Sequence, residues 1–378
     1  MYIECGCEKM EVFYRETYAE INLQAITYNI SEMKKRLPEH VEVFAAVKAN
    51  AYGHGDIECA KAAVEAGVTC LLVAYLDEAI SLRRAGIEAP ILVLGVTYAD
   101  HAPIAAKYNI SLTAFNLEWM QAVEKSLTNN QSICVHIKCD TGMGRIGLKE
   151  IADLKQMEEH LTHSKKIKFS GIYTHFATAD QQDEEYYQQQ LTRFKQMVEQ
   201  LNILPPYIHA ANSAATLIHN DSFFTAVRVG IAMYGLTPSM EINKQLPFQL
   251  KQAFSLHSEI THIKQVSPGE KIGYGATYTA KTNEWIATIP IGYGDGWMRK
   301  LSGQEIIVAQ QRMPIVGRIC MDQMMVRLKD YHPVGTKVTL IGRQGNEAIT
   351  VDEIAEKLET INYEVTCLVS KRVPRVYM

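Results

Sequence analysis

A lysine placed directly after an apolar run is a candidate nucleophile. Lys48 follows the run Val43–Val47 and opens Ala49-Asn50-Ala51-Tyr52-Gly53-His54-Gly55. Desolvation at such a place lowers an amine's pKa and frees it for Schiff-base chemistry. A strand-end lysine that merely reaches back to water has the same local pattern. The segment His136-Ile137-Lys138-Cys139-Asp140-Thr141-Gly142-Met143-Gly144-Arg145 sets cations and an acid around a glycine-rich turn. It can orient an anion, or simply turn the chain. Tyr173-Thr174-His175-Phe176 and His209-Ala210-Ala211-Asn212-Ser213 each supply an imidazole, and Arg228-Val229-Gly230-Ile231 supplies a further cation.

The elements that must position these groups are legible as an alternation. Short apolar, β-branched runs (Val43–Val47, Thr69–Ala74, Ile91–Gly95, Ile110–Ala114, Ile133–Lys138, Phe169–Thr174, Tyr207–His209, Ala226–Val229) are separated by helical patterns such as Ile57–Ala66, Asp77–Ala85, Leu117–Lys125 and Asp183–Gln200. Strand–helix alternation predicts parallel βαβ units. Eight units over ~200 residues fit a TIM-type (β/α)8 barrel, with a doubly wound sheet as the alternative. In such a barrel the reacting groups sit at the C-terminal ends of the strands, where every residue named above falls. Asn212-Ser213 opens the next helix, so its hydroxyl and the helix amides suit a phosphate dianion, and Gly230 lets backbone approach it. A Schiff-base lysine facing a phosphate cradle across one barrel mouth points to pyridoxal 5′-phosphate (PLP).

After about Thr237 the texture changes. Leu256–Val266, Trp285–Ile291, Glu305–Ala309, Met324–Leu328 and Lys337–Ile341 read as strands, with Val351–Glu359 the one helical pattern. The expected fold is therefore α/β: a barrel over residues 10–237 and a mainly-β domain over 238–378. The first strand, about residues 14–23, is one that could pair with the C-terminal domain.

Composition narrows the function classes. The chain has 378 residues, a formal charge of −4, 47% apolar and 21% charged residues. This is a globular composition with no electrostatic footprint for nucleic acid and no run approaching the ~20 apolar residues of a membrane span. Residues 1–10 carry no apolar signal segment, and none of the eight cysteines forms C-x-x-C, so a cytoplasmic protein with reduced thiols is expected. Cys5 and Cys7 form a lone C-x-C, weak as a metal motif, and no metal is expected.

The segments around Lys48, Lys138–Arg145 and Tyr173–Asp180, with Gly273-Tyr274-Gly275, Gly292-Tyr293-Gly294-Asp295-Gly296 and Cys320-Met321-Asp322-Gln323, resemble bacterial alanine racemase in order from about Tyr14 to Pro374. The first nine residues lie outside the resemblance, which makes Met10 a candidate start. The resemblance implies a homodimeric fold-type III PLP enzyme that interconverts L- and D-alanine, supplying D-alanine for peptidoglycan. By resemblance, Lys48 holds PLP and is the base on the D-face, and Tyr274 of the partner subunit serves the L-face. Tyr52, Asn212, Ser213, Gly230, Ile231 and Tyr363 belong to the phosphate site. Arg145 meets the cofactor's phenolate oxygen, with Lys138, as a carbamate, orienting it; an unmodified lysine or a bound chloride would do similar work. His175 packs on the ring face, Arg228 meets the ring nitrogen, and His209 supports Arg228. Met321 and Tyr293 serve the substrate carboxylate region together with Arg145, and Asp322 supports them.

Three rivals remain in view. A non-enzymatic PLP-binding protein would lack the β domain. A fold-type III decarboxylase typically pairs the ring nitrogen with an acid, whereas this sequence has Arg228. A racemase of another small amino acid such as serine would keep the mechanism, and Tyr274 with Tyr363 favours a small side chain.

Overall fold

The computed structural model describes residues 13–378. The Met10 start and the Cys5/Cys7 pair lie outside the described residues. The chain divides into two compact units: a β unit, running to Ile21 and resuming over Phe254–Val376, and a barrel unit over Asn22–Ala253 with the last two residues.

The barrel unit is a closed ring of eight parallel strands. These are β2 (Glu42–Ala46), β3 (Cys70–Val73), β4 (Ile91–Val93), β5 (Ser111–Ala114), β6 (Ile133–Lys138), β7 (Ile167–Tyr173), β8 (Tyr207–His209) and β9 (Ala226–Val229), after β1 (Tyr18–Ile21) of the other unit. Strands such as Cys70–Val73 and Ile91–Val93 are buried at every position, as parallel strands covered on both faces must be. Alternate residues of neighbouring strands, Phe44, Ala46, Cys70, Leu72, Leu92 and Ala226, pack into one cluster. Closure of the ring pairs Phe44 with Arg228 and Ala45 with Val229. Lys48 thus leaves β2 beside the end of the strand that carries Arg228.

In the β unit, β1 pairs antiparallel with β10 (Phe254–Glu259), Tyr18 opposite His257 and Ile21 opposite Phe254. Two details differ from the sequence reading. The run Leu256–Val266 is two strands, β10 and β11 (His262–Val266), because the chain turns at Ile260-Thr261 and each half takes different neighbours. A second helix, Asn362–Leu368, follows Val351–Leu358. It is only seven residues long and rich in types that favour strands, so its pattern is weak.

Candidate active site

The lysine segment has an unusual backbone. Ala49, Asn50, Ala51 and Tyr52 all have φ between 52° and 54°. This is one turn of left-handed helix, a conformation costing roughly 1–2 kcal/mol per non-glycine residue. Fixed partners hold it there. Ala49 N–H donates to Glu78 Oε1 at 2.7 Å, and Asn50 Oδ1 accepts from Asp56 N–H at 3.2 Å. Ala51 N–H donates to Val47 O at 2.9 Å and Gly55 N–H to Asn50 O at 2.9 Å. Glu78 was not singled out from sequence. Its signal is an acid at the third position of the helix Leu76–Arg84, where its other oxygen accepts from Ala74 and Tyr75 N–H. Strain concentrated at one segment of a barrel mouth marks a functional position.

The turn brings Tyr52 onto the end of β9. A Cβ added to Gly230 would lie 2.6 Å from the Tyr52 hydroxyl. Gly230 N–H donates to Ser213 Oγ at 2.8 Å, and Ala232 N–H does so at 3.4 Å. Asn212 caps the helix Ser213–Ile218 by accepting from Ala215 N–H at 3.0 Å. Ser213 therefore keeps its own hydroxyl proton to give. The Tyr52 and Ser213 hydroxyls and a side-chain-free glycine converge there, next to Ile231, an arrangement that suits a phosphate.

Arg228 is the most heavily bonded group of the site. Nη1 donates to His209 O at 2.9 Å and His209 Nδ1 at 3.0 Å. Nη2 donates to Thr174 O at 2.7 Å and Ala210 O at 2.9 Å, with His175 Nδ1 at 3.2 Å. The terminal nitrogens are spent on these acceptors, and Nε–H is the donor left for a ligand. Burial lowers the guanidinium to about 10, below the ordinary arginine range, so it is still charged at neutral pH. A guanidinium has no lone pair with which to accept a hydrogen bond, so each imidazole faces it with a bare, accepting Nδ1 and is neutral. Burial first, then Arg228, holds His175 and His209 well below the usual histidine range.

Lys138 is buried, with Nζ 2.5 Å from Cys139 O and 5.5 Å from the centre of the Tyr173 ring. Burial, reinforced by Arg228 and Arg145, lowers its amine to about 8. Tyr173 itself is fixed by Thr113, hydroxyl to hydroxyl at 2.7 Å. Asp140 shapes the next turn by accepting from Gly142 N–H at 3.1 Å and Gly144 N–H at 2.9 Å. These two bonds outweigh the opposing effect of burial and keep its carboxyl below the usual range. Lys48, Lys138, Arg145 and Arg228 all lie near enough to depress His175. A mouth lined by these basic side chains and by neutral imidazoles suits a phosphorylated, anionic ligand. The residues present fit PLP: a lysine, a phosphate cradle, and an arginine with one free donor.

The β unit displays the other sequence-selected residues. Tyr274 stands between Gly273 and Gly275, both with φ above 70°, and is 72% exposed. It borders an open cavity of about 540 Å3 with Lys271, Cys320, Gln323 and Met325. Tyr293 N–H donates to Cys320 O at 3.0 Å and Gly294 N–H to Met321 O at 2.9 Å, which joins the loops carrying Tyr293 and Met321. Beneath them the buried Asp295 carboxylate takes Arg15 at 2.9 and 3.0 Å, a partner sequence reasoning missed. Arg372 reaches both Asp295, at 3.4 Å, and Asp322, at 2.8 Å. Tyr363 sits half-buried on the short helix Asn362–Leu368. Among the described residues no cluster of three or more His, Cys, Asp or Glu is arranged to hold a metal ion, and no helix is long and apolar enough to cross a membrane.

Comparison with known proteins agrees across the chain. Residues 21–238 match the family model described as alanine racemase, N-terminal domain, and residues 253–377 match alanine racemase, C-terminal domain. An alanine racemase of Anoxybacillus flavithermus is 54% identical over 97% of this chain and 96% of its own. The structure of alanine racemase from Bacillus anthracis with bound L-Ala-P superposes with a TM-score of 0.94 at 48% identity, covering 97% of this chain and 96% of that one. A histidine racemase from Leuconostoc mesenteroides superposes with a TM-score of 0.92 at 33% identity, over 97% and 98% of the two chains. With both family models matched in order, the chain belongs to the alanine racemase family.

Proposed function

We propose that this chain interconverts L- and D-alanine with PLP as cofactor, acting as a cytoplasmic homodimer and supplying D-alanine for peptidoglycan. The observation that carries the reading is the meeting of the Lys48 turn with the phosphate cradle, through the Tyr52 hydroxyl at Gly230. Family membership supports the reaction and the cofactor. Bound there, the cofactor would draw electrons from the α-carbon of the amino acid and acidify its C–H.

The protein's own groups then have distinct tasks. Lys48 holds the cofactor and moves the proton on the D-face. Tyr274 of the second copy moves it on the L-face. Inversion needs two bases on opposite faces, because the second must reprotonate the carbon that the first deprotonated. A tyrosine's ordinary pKa is near 10, so Tyr274 needs help to act as a base. His175 supplies it: with Nδ1 accepting from Arg228, its proton is on Nε2 and available to a phenolate. Tyr52, Asn212, Ser213, Gly230, Ile231 and Tyr363 hold the phosphate. Arg228 would hold the ring nitrogen through its Nε–H; it can only donate, which would oppose proton transfer to that atom and restrain transamination. Arg145 meets the phenolate oxygen and, with Met321 and Tyr293, the substrate carboxylate. Asp322 supports that loop. Lys138 orients Arg145 as a carbamate, a modification that requires the neutral amine its lowered pKa favours.

The decisive experiment is L-alanine in heavy water with the purified protein and PLP, followed by proton NMR and chiral chromatography. Loss of the α-proton signal as D-alanine appears is the expected result. Exchange with serine or lysine but not alanine would overturn the substrate. Silence with every amino acid despite bound PLP would overturn the enzyme reading.

A further inference from the structure

We infer that His136 is a positioning residue that fixes the tautomer of His209 and through it the pose of Arg228. The inference rests on the reading of Arg228 as the cofactor's ring-nitrogen partner and extends it one residue further from the ligand.

Donor counting determines every proton in this chain. Arg228 Nη1 has hydrogens and no lone pair, so its 3.0 Å contact to His209 Nδ1 requires that nitrogen to be bare. Neutral His209 must then carry its proton on Nε2. That nitrogen lies 2.9 Å from His136 Nδ1, so His136 is the acceptor and keeps its own proton on Nε2. Burial makes both rings neutral, lowering His136 to about 3. The opposite tautomer of His209 would aim Nδ1–H at a guanidinium N–H. Two donors would face each other, and Arg228 would have to yield.

The packing fixes the planes of the rings, and the hydrogen bonds choose their orientation. His209 stacks on Tyr173, 4.9 Å between centroids at 3°, and meets Phe44 edge-on at 5.2 Å. His136 is 3% exposed and lies opposite Thr113 on β5 and Gly171 on β7. A Cβ at position 171 would fall 2.2 Å from His136 Nδ1, so glycine there makes room for the acceptor nitrogen. His136 reaches Arg228 through His209, 2.9 Å from ring to ring and 3.0 Å onward to Nη1.

The test uses holoenzyme labelled with 15N-histidine, with His136 and His209 assigned by single substitution, and two variants. His136→Leu removes the acceptor; His136→Asn carries an amide oxygen near the Nδ1 position. In the parent, both rings are expected as the Nε2–H tautomer. In His136→Leu, His209 should shift toward the Nδ1–H form, and the ratio of transamination to racemisation should rise about tenfold, in keeping with one lost buried hydrogen bond. His136→Asn should restore both. Nδ1–H on His209 in the parent would overturn the inference, even if His136→Leu failed to fold. So would a folded His136→Leu with unchanged tautomer and ratio. The stated tautomers in a protein that racemises no amino acid would support this inference and overturn the functional reading; the opposite tautomer in an active racemase would do the reverse.

Discussion

The barrel unit and the β unit present their functional groups in opposite ways. In the barrel, Arg228 is 5% exposed and His209 fully buried, and backbone carbonyls of Thr174, His209 and Ala210 take up the guanidinium. In the β unit, Tyr274 is 72% and Met321 53% exposed, on loops whose backbones are well bonded but whose side chains are uncovered. A charge sunk in protein has to be satisfied by protein, so the barrel groups are preorganised before any ligand arrives. A solvent-facing tyrosine has only water around its hydroxyl. It gains catalytic character when another surface closes over it, which is why the proposed site takes Tyr274 from a second copy.

Substitutions can break this contrast. The largest effect is expected for Lys48→Ala, with racemisation down by more than ~10⁴-fold, since it removes both the proposed covalent anchor and a proposed base. Borohydride reduction and intact mass should then show no covalently held cofactor, and a mutant still carrying it would refute the lysine assignment. Tyr274→Phe is expected to lower α-proton exchange from L-alanine by roughly 10²–10⁴-fold while sparing the D-face. Equal loss on both faces would contradict the two-base scheme. Co-expressing these two inactive chains should recover part of the activity if the site is shared, and none if each chain is self-sufficient.

Smaller effects sharpen the barrel side. Arg228→Glu should raise pyruvate formation relative to racemisation about tenfold, equivalent to ~1.4 kcal/mol between two barriers. An unchanged ratio would remove Arg228 from that role. Lys138 adds a pH signature. Its folded pKa of about 8 lies below the unfolded value of ~10.4, so the unfolded chain binds this proton more tightly and the site's contribution to stability grows as pH rises through that window. In carbonate-free buffer Lys138→Met should be more stable than the parent at pH 7, the gap in urea midpoint narrowing by pH 10. A constant gap would show that the lysine is not desolvated. The smallest change is expected for Tyr363→Asn, a several-fold gain of serine over alanine in kcat/KM, of the size one contact in a pocket supplies.

Much of this was readable before folding. Parallel strands buried on both faces appear as continuous apolar runs, and all eight barrel strands match theirs to within two residues at each end; Ile167–Tyr173 begins two residues before its run because the polar Lys168 interrupts the apolar pattern. Strand-end residues were legible for the same reason, because the run's end locates them. Less visible were residues whose meaning depends on distant partners. His136 lies inside a strand run and reads as one polar interruption. Asp295 looks like a turn residue until Arg15, 280 positions away, meets it.

The sequence by itself determined the order of elements, the barrel class and which side chains stand at the strand ends, since periodicity and burial are local properties of the chain. Tertiary structure decided how those side chains are used. Four consecutive non-glycine residues after Lys48 adopt left-handed backbone, held in part by Glu78 of the next βα unit, which accepts an amide there. Arg228 owes its direction to carbonyls delivered by two neighbouring strands, and the imidazole protons follow from that direction. Hydrogen-bond complementarity exists between groups far apart in the chain, so no window of sequence contains it.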